Sequence, residues 1–216
     1  MREVLHNKVL LISIIISLIM MILLAVIRCK KYAISYWKAI LSMILSVFIG
    51  TFSGYLMFFV ENGVWGGQSF FGIILFAPIM LMLVAMLMKI SVGKYLSFFA
   101  PIIAFVLVIM KYRCIYEGCC GGNDFFNSIS PWPLQLIEAI ASLAIVFALL
   151  FLENKEENRS DLYAYYLVIY GCVRLVLNSF RANLTPFVIV PAGHFWSIIS
   201  LCIGCAYFLL IKKVNR

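Results

Sequence analysis

Five polar side chains recur at helical spacing in the last third of the chain. Tyr163, Tyr170, Arg174, Asn178 and Arg181 fall at i, i+7, i+11, i+15 and i+18. At about 100° per residue they share a face about 80° wide. A guanidinium is permanently charged, and its planar fork matches phosphate or carboxylate. Arg174 therefore reads either as half of an ion pair or as an anion-binding group. The acid best placed to meet it is Glu138, in Pro133-Leu134-Gln135-Leu136-Ile137-Glu138. Gln135, Glu138 and Ser142 fall at i, i+3 and i+7, on one face of a helix that Pro133 is suited to start. Lys111 is a second natural partner for Glu138. From these residues alone, a structural pair and a catalytic constellation are equally open.

Two glycine-rich runs flank this group: Gly63-Val64-Trp65-Gly66-Gly67-Gln68-Ser69-Phe70-Phe71-Gly72 and Gly118-Cys119-Cys120-Gly121-Gly122. Glycines let backbone N–H groups approach an anion, although either run also reads as a plain turn. Of the seven cysteines, Cys29, Cys172, Cys202 and Cys205 lie in or beside apolar stretches and are expected to pack there. Cys114, Cys119 and Cys120 cluster. A zinc site takes about four ligands and neither histidine is near in sequence, so no metal or other cofactor is expected. An oxidising compartment would permit a Cys114–Cys119 disulfide, and shielded free thiols are the plain alternative. His194, in Gly193-His194-Phe195-Trp196-Ser197, is an interfacial anchor or a titrating group beside the polar stripe. His6 lies in the N-terminal tail.

The elements that must position these residues are membrane spans. The chain has 216 residues, 65% apolar and 12% charged, far from the composition of a soluble domain and poor for a disordered chain or a nucleic-acid binder. Apolar runs at roughly 9–27, 39–60, 69–88, 95–110, 133–152, 162–180 and 194–211 predict a single membrane domain, an all-α seven-helix bundle. The run at 95–110 is the shortest, and 111–132 is the longest break. Arg28-Cys29-Lys30-Lys31 after the first run argues against a cleaved signal peptide. Arg28, Lys30, Lys31, Lys38, Lys89, Lys94, Lys155, Arg159, Lys212, Lys213 and Arg216 fall on one side. Arg2, Lys8, Lys111, Arg113 and Arg181 fall on the other. That asymmetry puts the N-terminus outside and the C-terminus in the cytoplasm. Ser42, Ser46, Gly50 and Gly54, spaced by four, are a close-packing stripe. A wet, outward-facing cavity is expected between spans three to seven, where Glu138 is the one acid placed inside a span.

In order and spacing, five segments resemble the prolipoprotein diacylglyceryl transferase family in a short form. Gly66-Gly67-Gln68-Ser69-Phe70-Phe71-Gly72 is similar to the family's Gly-Gly-x-Ser-Phe-His-Gly-Gly. Lys111-Tyr112-Arg113-Cys114 with the trailing Gly118–Gly122 run is similar to its Gly-Arg-Ile-Gly-Asn region. Pro133 to Glu138 is similar to Pro-x-Gln-Leu-Tyr-Glu. Tyr170-Gly171-Cys172-Val173-Arg174 with Arg181 is similar to Tyr-Gly-x-x-Arg-Phe…Arg, and Gly193 to Ser197 to Gly-Gln-x-x-Ser. The resemblance implies a bacterial cell-membrane transferase. It would move diacylglyceryl from phosphatidylglycerol to the thiol of a lipobox cysteine in a lipoprotein precursor, releasing glycerol phosphate. It implies catalytic roles for Arg174, Tyr170, Glu138 and His194. It implies lipid-phosphate contacts from Arg174, Lys111, Arg181, Gly66, Gly67, Gln68, Gly122, Gln135 and Asn178. The chain departs from the pattern at Phe71 for the family's His, Ile73 for Gly, Lys111 for Arg, Cys114 for Asn and Asn178 for Glu. Phenylalanine cannot carry a proton, so a non-catalytic protein that binds lipid or a partner is the alternative. A transporter would call for a matched pair of broken helices in the two halves, and none is visible. A protease built on Glu156-Glu157 would need them near His194, and the charge count puts the two on opposite sides.

Overall fold

The computed structural model describes residues 2–155, 159–182, 186–187 and 190–214. Glu156, Glu157 and Arg216, used in the readings above, lie outside them. Helix α1 (Arg2–Cys29) is followed by one 3-10 turn at Lys30–Tyr32, and the chain reverses through Ala33 into α2 (Tyr36–Asn62). Next come α3 (Phe70–Leu75) and α4 (Ala77–Leu87), an apolar stretch interrupted at Phe76. Pro78, in the first turn of α4, has no N–H to continue the ladder from α3. Helix α5 (Val92–Glu117), the short α6 (Asp124–Ile129), α7 (Leu134–Glu153) and α8 (Leu162–Asn178) follow. A two-residue antiparallel pairing, β1 (Pro186–Phe187) with β2 (Val190–Pro191), precedes α9 (Ala192–Val214).

Among the described residues, five helical stretches are long and apolar enough to cross a membrane: 36–62, 70–87, 92–117, 134–153 and 192–209. Helix α8, at 17 residues, is shorter. The protein is an integral membrane protein with an all-helical framework. The stretch expected at 95–110 is longer than its apolar run, because α5 continues through Lys111 to Glu117. The break at 111–132 is correspondingly shorter. A charged residue continues the helix there because its charge is met inside the bundle, as described below.

Helix α5 is the axis of the fold and packs on α1, α4, α7 and α8. Tyr95, Phe98, Phe99, Ala100 and Ile102 are almost fully buried along it. Phe99 sits edge-on to both Tyr95 and Phe98, with ring centroids 5.1 and 5.4 Å away. Pro101 lies inside α5 and removes the backbone donor that would meet the Ser97 carbonyl one turn earlier. Arg28 supplies the missing donor: Nη2 donates to Ser97 O at 3.3 Å, and Nη1 donates to the next carbonyl, Phe98 O, at 2.6 Å. Its Nε donates to Glu153 Oε1 at 2.8 Å. The residue counted above only as a marker of sidedness is thus buried, and it ties α1, α5 and α7 together. Glu153, in the last turn of α7, is a second buried acid in addition to Glu138. Along α2, Ser42, Gly50 and Gly54 are buried and Ser46 half-buried. Here α3 comes so close that a Cβ on Gly72 would lie 2.0 Å from Ser53 O. Cys29 is buried as expected, whereas Cys172, Cys202 and Cys205 are exposed on the bundle's outer face. An apolar thiol has no reason to avoid an outward face when that face meets lipid.

The helix ends alternate. Residues 28–38, 88–98 and 153–160 meet at one end, through Arg28–Glu153, Lys31–Asn154 and Lys38–Met88 contacts. The polar stripe and both glycine runs meet toward the other.

Candidate functional site

Glu138 sits one turn into α7, and its carboxylate is the hub of the site. Lys111, in the last turns of α5, places Nζ 2.5 Å from Glu138 Oε2. Arg174, from α8, donates through Nη1 to Oε1. Arg181, just beyond the end of α8, approaches with Nε at 3.3 Å from Oε1 and Nη2 at 3.5 Å from Oε2. Lys111, Glu138 and Arg174 are buried, and Arg181 is nearly so. Three cations on one carboxylate give two positive charges in excess of Glu138, which the Cys120 thiolate beside Lys111 and Arg181 reduces to one. Burying an ion pair costs desolvation of both partners, and an excess of one sign costs more. Its excess charge makes the cluster a candidate anion site.

The local sequence explains the placement. Gln135, Glu138 and Ser142 form one buried stripe on α7, with Ser142 Oγ donating back to Glu138 O at 2.7 Å. Helix α8 turns Tyr163, Tyr170, Arg174 and Asn178 inward together, as their spacing predicted. Tyr163 donates to Ile74 O. Arg181 is no longer on the helix, yet it is held in line. The 118–123 loop lies beside it through the Gly122–Arg181 bridge, with Asn123 N donating to Phe180 O at 2.8 Å and Ala182 N to Gly121 O at 3.1 Å.

The hub opens on a cavity of about 300 Å³. Its polar lining includes Glu61, Gln68, Ser69, Lys111, Arg174, Asn178 and Arg181, with Cys114 and Cys120. Helix α2 supplies Glu61, so the cavity is not confined to spans three to seven. Phe71, at the position of the family's His, is buried in the wall with its ring edge toward Tyr170, centroids 6.1 Å apart. Behind the hub lies a void of about 10 Å³ against Tyr170, Arg174 and Glu138. Several buried polar atoms have no hydrogen-bond partner among the described residues: Arg174 Nε, Tyr170 Oη, Asn178 Oδ1 and His194 Nδ1. An unmet buried polar group costs about 1–3 kcal/mol, and those of Arg174 and Tyr170 lie beside the carboxylate hub.

The other expected site residues divide. Gln135 points its amide the other way, with Nε2 donating to Cys119 O at 2.6 Å. Asn178 donates to Ser197 Oγ at 3.3 Å and backs onto Gly193, where a Cβ would strike its amide at 2.7 Å. Gly67 packs against the Phe58 ring and Gly66 is exposed; neither lines the cavity. Gly122 is a hinge of the loop rather than a lining residue. His194 has its Nε2 3.4 Å from Ser179 Oγ and also stands outside the lining. Arg113 faces away and pairs with Glu117 at 2.6 Å.

One group escaped the sequence reading. Glu61 falls just past the apolar run of α2, yet α2 continues to Asn62 and brings it to the cavity, where Ser69 Oγ donates to it at 3.0 Å. The thiol cluster singled out in the sequence is assembled, as free thiols. Cys114, Cys119 and Cys120 are free, and their sulfurs all lie within 4.8 Å of one another. Gly118, at φ 68°, ends α5 in the left-handed conformation that glycine adopts without penalty, which turns Cys119 back toward Cys114. Cys120 itself has φ 61°. The Cys114 thiol hydrogen bond pulls Cys120 down to about 5 against the effect of burial, helped by the charges of Lys111 and Arg181. Burial pushes Cys119 up.

Residues 11–210 match the family described as prolipoprotein diacylglyceryl transferase. A curated relative from Clostridium tetani (strain Massachusetts / E88), named phosphatidylglycerol–prolipoprotein diacylglyceryl transferase, is 26% identical over 133 residues. That alignment covers 55% of this chain and 53% of the relative, so the chain spans about half the length of the curated relative it matches.

Proposed function

This chain belongs to the prolipoprotein diacylglyceryl transferase family, and from that premise we propose that it is a seven-span cell-membrane transferase with its N-terminus outside. It moves the diacylglyceryl group of phosphatidylglycerol to the cysteine thiol of a lipobox-bearing precursor. The sulfur bonds to the glycerol carbon that carries the phosphate ester, the carbon–oxygen bond breaks, and glycerol phosphate leaves with the electron pair.

The observation that carries this reading is the set of three cations, Lys111, Arg174 and Arg181, held around the single carboxylate of Glu138. A lipid phosphate supplies one negative charge in the ground state and more as the ester oxygen departs. Preorganised cations in a water-poor site act most strongly on charge that develops there. In this reading Arg174 uses its unmet Nε toward a phosphate oxygen, and Tyr170 donates its unmet hydroxyl to another. Lys111 and Arg181 complete the clamp. Glu138 keeps three mutually repelling cations in one place, and Gln135 and Asn178 hold the surrounding backbone and α9 in register. Gly67 and Gln68 shape the rim. His194 anchors the start of α9.

Phe71 supports the alternative, a protein that binds the lipid without turning it over, because a buried phenyl ring stands where the family carries a proton-accepting side chain. The test is release of labelled glycerol phosphate from headgroup-labelled phosphatidylglycerol by the purified protein, with and without a lipobox peptide. Peptide-dependent release supports the transferase. Lipid retention with no release in either sample refutes it in favour of the binding protein.

A further inference from the structure

The three thiols are unused by the reading above, and their arrangement has a chemistry of its own. Cys114 comes from the last turns of α5, and Cys119 and Cys120 from the loop that folds back on it. Zinc binds thiolate sulfur at about 2.3 Å, which puts two sulfurs about 3.8 Å apart in a tetrahedral site. Three sulfurs already within 4.8 Å of one another need shifts of an ångström or less to close on an ion. Structural zinc sites have four protein ligands, but catalytic ones have three and leave one position open. The count that argued against a metal in the sequence therefore fits an open site.

The surroundings fit as well. Gln135 Nε2 holds the Cys119 carbonyl at 2.6 Å from outside the cluster, and Cys119 N donates to Cys114 O at 3.1 Å within it, so the ligand backbone is fixed. Three thiolates on a divalent cation carry one net negative charge, and Lys111 and Arg181 lie beside them. Cys114 and Cys120 line the same cavity as Arg174, Lys111 and Arg181, which gives an ion an entry path and an outlook onto the reaction. All-sulfur donors favour a thiophilic ion of the zinc class over magnesium or calcium.

We propose that Cys114, Cys119 and Cys120 bind a zinc-class divalent cation through three thiolates, and that its fourth position, open to the cavity, takes the cysteine thiol of the acceptor. The second half rests on the transferase reading. On binding, the acceptor thiol displaces a water and gives up its proton to solvent, because a metal-bound thiol is deprotonated outright. The resulting thiolate forms the new carbon–sulfur bond, and the neutral thioether leaves the metal to water. This supplies the deprotonation that Phe71 cannot.

The experiment uses the reduced full-length protein in detergent, metal-stripped and kept anaerobic, titrated with cobalt(II) alone. The expected result is one cobalt per chain, with a thiolate-to-cobalt charge-transfer band and tetrahedral ligand-field bands. The signal disappears in Cys114→Ser and Cys120→Ser and persists when Cys172, Cys202 and Cys205 are all serine. X-ray absorption of the zinc-loaded wild type, which needs no variant to fold, should count three sulfurs at about 2.3 Å plus one lighter atom. Adding a lipobox peptide should shift the cobalt bands, and its Cys→Ser version should not. A folded wild type without thiolate–cobalt bands, or bands that survive the triple Cys114→Ser, Cys119→Ser, Cys120→Ser change, overturns the site. Bands indifferent to the peptide overturn the acceptor role. No lipid is present, so the outcome is independent of turnover. Cobalt binding without transfer sinks the transferase reading alone, and transfer without cobalt binding sinks the metal site alone.

Discussion

Replacing Arg174 by glutamine separates the two roles of the cationic hub. Arg174 both pairs with Glu138 and, in the proposed mechanism, holds the phosphate through its unmet Nε. Its removal does not strand the carboxylate, because Lys111 remains at 2.5 Å and Arg181 at 3.3 Å. The structural loss is therefore about 1–3 kcal/mol, the range for one charge-assisted hydrogen bond. The catalytic loss is larger: removing one preorganised donor from developing charge costs on the order of 10²–10³ in kcat, or about 2.7–4 kcal/mol. Arg174→Gln should lower release of glycerol phosphate by that factor in detergent or vesicles, with a monodisperse protein that still unfolds cooperatively. A loss confined to KM would mean that Arg174 binds the ground state and transition state alike. Arg113→Gln is the matched control, since Arg113 is exposed and pairs with Glu117. Release by Arg174→Gln within about threefold of wild type, at saturating lipid, would refute the clamp, since even one weak donor should exceed that.

Other perturbations probe the frame. Glu138→Gln leaves three cations facing one another and should destabilise the fold by about 3–5 kcal/mol, read by thermal unfolding in detergent. Arg28→Gln leaves buried Glu153 with Lys31 at 3.7 Å and reopens the Ser97 carbonyl before Pro101, so it should cost about 1.5–3 kcal/mol, read by thermal unfolding, while activity per folded molecule stays unchanged. Gly72→Ala forces a methyl into the Ser53 carbonyl and should cost about 1–3 kcal/mol as α2 and α3 separate, visible as a lower melting temperature. In reduced, metal-free protein, Cys120 alkylation by iodoacetamide should be nearly flat from pH 6 to 8, because a thiol pulled down to about 5 is already ionised there. An ordinary thiol near 8.5 would instead quicken about tenfold per pH unit over most of that range.

The stripe on α8 was legible because rotation per residue is fixed by helix geometry. A charge at mid-segment must face inward wherever the surroundings are lipid. Glu138 was legible for the same reason. Lys111 was read as a loop residue because hydropathy ends at the first charge, whereas the helix ends where its backbone is capped, at Gly118. Glu61 was missed in the same way, one residue beyond an apolar run. The Arg28–Glu153 pair joins residues 125 positions apart, and no local pattern encodes such a contact. The outward cysteines show a further limit: in a bilayer the lipid face is as apolar as the core, so composition alone does not say which side of a helix is buried.

The central claim is that the cations around Glu138 serve transfer of a diacylglyceryl group to a cysteine. Its most direct test is mass spectrometry of a lipobox peptide incubated with the purified wild-type protein and phosphatidylglycerol. The account predicts a diacylglyceryl mass gain on the peptide cysteine, resistant to thioester-cleaving hydroxylamine, and no gain when that cysteine is serine. An unmodified peptide beside protein that retains phosphatidylglycerol would contradict it.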